Sequence, residues 1–530
     1  MSNSISQNSQ YFSIVPQNGT TFTAGNKIIF EINPNIAFVK GKDSYLAFDI
    51  FNSSQNKEIV AFPNTAGASS VIDRMDIYSL NNGTLLESLT NANQWAGIEN
   101  QYAYDVKEQL VAKEGISEEC YSYNVDQNQT NGVTAHVANP RLADKLGDML
   151  LSQTQGVNAV YMAKRFIIPL RSGIFNWWGD SEKLTPIVLY SGLRIEITLA
   201  DNNKVCQSVY GKSDIAHVNN VDNGIAVANV AAPGAPAVNY TLVSNTNYAS
   251  SLNVCGLVKG NRIQLSGTID GGAGNRNGTI TDLTIAANKL NIAVTFDSNV
   301  SNFQGAVCKL LVDSSYTVKK AEMKLLQVLP TKEMMKAAVK ESQIPFLSYD
   351  VFLDTLPSTS LSHQSEINSV ANRAKSVFTV MTNASKETDP VEKFYYTGLA
   401  PNLEAGDRTS GCNSVQYFIN NKLFPTKDYN PQRKYDKVQA HNEVIKAWSS
   451  INKPCKNLGD SKGTNMADYT NTFLIARELA RENMVYPLKN SEAELRMRFD
   501  TTRTFNSRIY NYVFSEKVIN VSQDGLSVIL

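Results

Sequence analysis

The sequence predicts an all-β chain, a tandem of two β-sandwiches with Greek-key connections, a β-rich insertion and a few short helices. Two observations carry that class. Ser191-Gly192-Leu193-Arg194-Ile195-Glu196-Ile197-Thr198-Leu199 alternates without a miss, so Leu193, Ile195, Ile197 and Leu199 share one face of a half-buried strand and Arg194, Glu196 and Thr198 the other. About 300 residues later Glu494-Leu495-Arg496-Met497-Arg498-Phe499 repeats the pattern. The order around each stretch also repeats: strands, a hairpin, a helix, more strands, then an alternating pair. That order suits a sandwich better than a βαβ sheet.

Residues 1–26 carry no charged side chain before Lys27 and read as a flexible N-terminal arm. Stretches 26–32 and 45–51 read as strands, punctuated by Pro34 and Gly41. Ile72-Asp73-Arg74-Met75-Asp76-Ile77-Tyr78 alternates, turns at Asn81-Asn82-Gly83 and resumes at Leu85-Leu86, which is hairpin chemistry because Asn-Gly accepts positive φ. Trp95, Ile98 and Tyr102 then fall at helical spacing. Asn139-Pro140 opens a second helix, with Leu142, Leu146, Met149 and Leu150 on its apolar face. Residues 165–170 form a strand, and 173–186, with Trp177-Trp178, a loop; the paired indoles suit a buried corner or a subunit contact better than a ligand platform.

Residues 201–316 turn rich in Asn, Gly, Ala and Thr and read as a β-rich insertion, with strands at 262–266, 279–285 and 290–296. A long strand, 316–329, returns to the first module. Pro330-Thr331 caps a short helix at 332–340 that Pro345 ends, so 331–345 is the expected linker between a first module at 27–330 and a second at 346–530. In the second, 376–381 is a strand, and 415–419, Asn420-Asn421 and Leu423-Phe424-Pro425 make a strand-turn-strand. After Asn430-Pro431 comes a helix with Val438, His441, Ile445 and Trp448 on one face. The run 473–480 leaves helix and strand open. Strands at 495–499 and 509–514, then 518–530 turning at Asp524-Gly525, complete the chain.

Composition narrows function. Lys plus Arg and Asp plus Glu number 49 each among 530 residues, so no net charge draws the chain to nucleic acid or an acidic membrane. The N-terminus lacks a secretory pattern and no 18-residue apolar run occurs, so synthesis in the cytosol and solubility are expected. The six cysteines (120, 206, 255, 308, 412 and 455) contain no C-x-x-C and suit buried reduced thiols. Gly211-Lys212-Ser213 lacks the earlier glycine of a phosphate loop, since Cys206 stands there. The glycines at 271, 272, 274 and 278 miss dinucleotide spacing and fit a hairpin turning at Asn277-Gly278. The stretch from Asp126 fails as a calcium loop because Asn131 and Val137 hold its glycine and glutamate places. His136, His217, His363 and His441 make no zinc spacing, and no G-x-S-x-G is present. Arg496, Arg498, Arg503 and Arg508 lie among Glu492, Glu494 and Asp500 and read as surface or intersubunit pairing. No catalytic, cofactor-binding or metal residue is nominated, and the chain is expected not to be an enzyme.

Several landmarks resemble the double jelly-roll major capsid proteins of the adenovirus-like lineage, most closely the polinton-like virus and virophage type. They are Leu189-Tyr190-Ser191 running into the first alternating strand, Gln416-Tyr417-Phe418-Ile419 with Leu423-Phe424-Pro425, and Ile509-Tyr510-Asn511-Tyr512-Val513-Phe514 through Asp524-Gly525-Leu526-Ser527-Val528. The resemblance implies two tandem eight-stranded jelly rolls, a homotrimer of pseudo-hexagonal outline tiling an icosahedral shell, an outward tower at 201–316, no cofactor, and a place in the virion. It implies minor capsid and penton proteins as partners, and no direct sequence-specific nucleic-acid binding. The rival from another class is a jelly-roll carbohydrate-binding or glycan-active protein, motivated by Trp177-Trp178 and abundant Asn and Asp. A minor vertex protein fits less well, because vertex proteins of this lineage resemble a single roll.

Overall fold

The structure is a computed structural model. It describes residues 9–529 apart from 54–58, 64–65, 104–150, 153–162, 180–182, 209–224, 229–236, 248–258, 301–302, 311–314, 337–342, 388–411, 430–433, 456–473, 480–486, 490–492, 523–524 and single positions between them. The helix expected from Asn139-Pro140, the Gly211 loop and the Asp126 stretch lie outside the described residues.

The first half contains β1 (Ser9–Ile14), β2 (Thr21–Thr23), β3 (Lys27–Ile32), β4 (Phe38–Asn52), β5 (Ile59–Ala61), β6 (Ile72–Ser79), β7 (Leu85–Thr90), helix α1 (Ala92–Ala103), β8 (Leu151–Ser152), β9 (Ala163–Pro169), β10 (Leu193–Leu199) and β11 (Gln207–Ser208). The insertion follows with β12 (Ile225–Ala228), β13 (Ala237–Asn247), β14 (Arg262–Ile269), β15 (Gly272–Ala286), β16 (Lys289–Val300) and β17 (Phe303–Leu310), and β18 (Tyr316–Val328) returns to the first roll. The second half contains β19 (Gln343–Leu356), β20 (Ser362–Glu366), β21 (Ala374–Asn383), β22 (Cys412–Ile419), β23 (Lys422–Tyr429), helix α2 (Lys434–Ser450), β24 (Ile475–Glu478), β25 (Ala493–Phe499), β26 (Ser507–Ser522) and β27 (Gly525–Ile529).

The two halves repeat strand for strand. The first pairs β1-β18-β4-β9, with β2 also on β18, against β3-β10-β6-β7; the second pairs β19-β26-β21-β24 against β20-β25-β22-β23. Counting β1 and β2 as one broken first strand, both read 1-8-3-6 over 2-7-4-5, the order of an eight-stranded jelly roll. The chain is thus two tandem jelly rolls. Between the seventh and eighth strands of roll one, the insertion closes into its own barrel, β12-β13-β16-β15-β14-β17, while β11-β5-β8 form a small separate sheet.

Alternation explains the strands at the centre of each roll. Leu193, Ile195, Ile197 and Leu199 of β10 are buried, and on the other face Glu196 takes Lys27 and Arg194 as ion-pair partners. Leu495, Met497 and Phe499 of β25 are likewise buried. The roll-one interior belongs to one apolar cluster and the roll-two interior to another.

Several expectations are corrected. Residues 9–14 and 21–23, expected within the flexible arm, are strands on β18, with Ile14 and Phe22 buried; an uncharged stretch rich in Tyr, Phe, Thr and Ile has strand propensity that the lack of charge concealed. Pro345 does not end the linker but sits inside β19, paired to Val518. That strand is the edge of its sheet, where a missing N–H is tolerated. The glycine-rich hairpin turns after Asp270, whose φ is 55°, and Gly278 lies within β15. A Cβ on Gly278 would come within 2.7 Å of Val294 Cγ1, so close packing rather than a turn requires glycine there. On α2 the buried face is Ala440, Val444, Ala447 and Trp448, leaving Ile445 exposed. The ambiguous run at 473–480 is strand β24.

Candidate assembly site: the seam between the rolls

Central strands of roll two are apolar at both parities. In β26, Ile509 and Val513 belong to the roll-two interior, whereas Tyr510, Tyr512 and Phe514 belong to the cluster shared with roll one. In β21, Val377 and Met381 point inward while Phe378 and Val380 join the shared cluster. Successive side chains of a strand point to opposite faces, so the sheet β19-β26-β21-β24 is covered on both. Its outer cover is roll one together with α2, whose Val444, Ala447 and Trp448 join the same cluster beside Phe378.

Roll one's share of that cover is built from the segment between β7 and β10. Helix α1 places Trp95 in a ring of roll-two aromatics: Phe514, Tyr512, Phe378, Trp448 and Tyr349 have centroids 4.8, 5.1, 5.4, 5.5 and 5.6 Å away. Inclined pairs at these separations add about 0.5–1.5 kcal/mol each beyond their burial. Trp178 adds edge contacts to Tyr349 and Phe514. Polar ties accompany the rings: Tyr512 Oη donates to Gln94 Oε1 at 3.0 Å and Tyr349 Oη to the Thr90 carbonyl at 3.4 Å. Gly173 lies so near β19 that a Cβ would stand 1.9 Å from the Leu347 carbonyl oxygen. Only glycine fits that approach.

Two buried carboxylates anchor the seam. Glu99 of α1 accepts from Trp177 Nε1 at 2.9 Å and Trp178 Nε1 at 3.2 Å, pairs with Arg171 at 2.9 Å, and lies 3.6 Å from Lys453, which follows α2. Lys453 Nζ also stands 3.7 Å from the Trp177 ring centroid. Burial lowers the Lys453 pKa, and the Glu99 charge partly restores it. Glu87 of β7 accepts from Ser172 Oγ, from Gly173 N at 2.9 Å, from Ile174 N at 3.3 Å and from Ser348 Oγ of roll two at 2.5 Å. Burial pushes the Glu87 carboxyl above the ordinary glutamate value, and those hydrogen bonds pull it partly back.

A carboxyl raised on folding stabilises the folded chain fully at pH below its unfolded value, and that contribution is lost as pH rises through the raised value. Glu87→Gln removes this proton linkage. Wild type should therefore gain melting temperature relative to the variant as pH falls from neutral toward the ordinary glutamate range. Calorimetric scans of both proteins across that interval check it, and a difference that stays flat with pH contradicts it.

The residues singled out in the sequence are placed as follows. Trp178 is fully buried and Trp177 partly so, with both N–H groups on Glu99, the buried-corner arrangement. Arg496 pairs with Glu494 and lies over Phe418; Arg508 pairs with Glu387 at 3.5 Å; Arg503 donates to the Pro357 and Ser360 carbonyls. Arg498 is exposed. His363 meets Asp354 at 2.8 Å. Cys206, Cys308 and Cys412 are buried and Cys455 is half-buried; burial pushes the thiols of Cys412 and Cys455 up to about 12. The structure brings none of these groups together as a reacting set. Glu87 and Glu99 were missed in the sequence, because each sits in an unremarkable polar context and its partners lie far along the chain.

No family model matches the sequence, and no curated protein matches it. Among solved structures, the Faustovirus major capsid protein superposes with a TM-score of 0.52 at 8% identity, over 97% of this chain and 91% of that one. The capsid of the virus PBCV-1 gives 0.45 at 12% identity, over 99% and 97%. The Sputnik virophage structure gives 0.43 at 11%, over 99% and 88%. The Faustovirus likeness is one of fold.

Proposed function

From a double jelly-roll fold shared with the Faustovirus major capsid protein, we propose that this chain is itself a major capsid protein with a structural rather than catalytic role. Three copies close into a pseudo-hexagonal homotrimer, and trimers tile an icosahedral shell within the virion, alongside minor capsid and penton proteins. In this reading the barrel of 201–316 projects outward as a tower, and the extent 27–330 with 346–530 delimits the two rolls, apart from the strands the first borrows from residues 9–23.

The observation that carries the reading is the seam. Two rolls of identical strand order are locked side by side, so each chain supplies two of six equivalent lobes ready-made. A threefold ring then closes by repeating one heterologous contact. Closure covers sheet edges that otherwise invite uncontrolled pairing, and obligate interfaces of this kind bury roughly 2,000 Å² or more. Lateral contacts between trimers can be individually weak, because many act together in a finished shell. The glycan-binding reading loses its motivating feature, since Trp177 and Trp178 spend their N–H groups on Glu99 inside the seam.

Light scattering on the purified chain at micromolar concentration tests the proposal. A mass of three chains is expected, and a strict monomer that forms no ordered particles contradicts it.

A further inference from the structure

The inserted barrel has a core of its own. Its strands close completely, β12-β13-β16-β15-β14-β17, so no sheet edge is left for a neighbour to cover. Register shifts in β13, β14 and β15 supply the bends that closure needs. Leu242, Ile263, Leu265, Leu290 and Ile292 fill the interior and are fully buried. None of them belongs to an apolar cluster of the rolls; the cluster shared across the seam passes from Cys206 straight to Tyr316.

The two ends of the excursion also meet. In the barrel, β12 and β17 are neighbours, with Ile225 opposite Cys308. In roll one, Tyr316 donates its Oη to the Ala200 carbonyl at 2.6 Å and its N–H to Asn202 Oδ1 at 3.3 Å, while Ser53 N donates to the Ser315 carbonyl at 3.0 Å. The roll thus closes the junction of its seventh and eighth strands with its own groups. The barrel's outer surface is polar. Asn239, Thr295, Thr279 and Arg262 lie in one row across four strands, where Thr295 Oγ1 donates to Asn239 Oδ1 at 2.7 Å and Arg262 Nη1 to Thr279 Oγ1 at 2.9 Å. Among the described residues, no large apolar side chain of the barrel is exposed, so this surface suits solvent rather than a partner.

We propose that residues 225–310 are an autonomous module, a barrel that opens and closes as its own cooperative unit without disturbing the seam or the association of chains. A unit with a separate core, no open edge and both ends at one point has nothing to transmit to the rolls when it opens. Independence from the association of chains rests on the capsid reading; independent opening does not.

The placement of the tryptophans makes the test direct. All four, Trp95, Trp177, Trp178 and Trp448, lie in or against the cluster shared across the seam, and the barrel has none, so their emission reports the rolls alone. Pulsed hydrogen exchange along a urea titration of the full-length chain reports the barrel through the amides of 262–310. Leu265→Ala should lower the barrel midpoint by about 1 M urea and leave the tryptophan midpoint in place. Ile197→Ala, in the interior of roll one, should do the reverse. A double variant, Leu265→Ala with Ile292→Ala, should lose barrel protection while its tryptophan emission stays native, and light scattering in that state should still give the three-chain mass. Barrel protection lost only together with the tryptophan signal in every variant, or a tryptophan midpoint that moves with Leu265→Ala, overturns the proposal. Loss of the three-chain mass on barrel opening alone overturns its second half and leaves the capsid reading intact. A wild-type chain that is itself monomeric removes the capsid reading, and the two midpoints still decide whether the barrel opens by itself.

Discussion

Trp95→Ala should destabilise the protein by about 3–5 kcal/mol, the range for deleting a large buried aromatic. The side chain is 1% exposed, and five roll-two rings surround it. The helix comes from roll one, so the cavity opens between the rolls rather than inside either. Neither neighbour can collapse into it without moving a whole sheet. Scanning calorimetry should therefore show a lower main transition and a separation of roll-one from roll-two unfolding. A loss under about 1 kcal/mol with a single unchanged transition would mean that the rings merely touch and do not hold the rolls together.

Glu99→Ala should cost a similar amount, about 3–5 kcal/mol, by a different route. Its carboxylate is fully buried and collects two indole N–H groups, Arg171 and Lys453. Removing it strands two cations and two donors where water does not reach. The Lys453 pKa, already lowered by burial, falls further without the Glu99 charge. The variant therefore sheds the Lys453 proton earlier as pH rises, and its deficit against wild type should shrink toward alkaline pH. Melting curves of both proteins at several pH values above neutral measure this; a deficit that stays flat with pH would show that Lys453 does not feel Glu99.

The strands that face solvent on one side were legible because polarity alternates in them. β10 and β25 announce both their period and their buried face. The hairpin at Asn81-Asn82-Gly83 was legible for a local reason, since Gly83 adopts a φ of 68°. The seam was written in the sequence by the absence of alternation. Tyr510, Tyr512 and Phe514 fall between Ile509 and Val513, so both faces of β26 ask for cover, yet nothing local says that roll one supplies it. β19 was hidden by Pro345, which reads as a stop until the strand is known to lie at a sheet edge. β1 was hidden because its burial is slight and the strand it pairs with, β18, lies some 300 residues away. Glu87 and Glu99 have no sequence signature: Ser348 is 261 positions from Glu87, and such pairings exist only after the chain has doubled back.

Negative-stain imaging of the purified chain puts the central idea most directly at risk. Class averages should show particles with threefold symmetry and six lobes of similar size around the axis, two from each chain. Isolated two-lobed particles at every concentration examined, or rings with any other number of lobes, would contradict it.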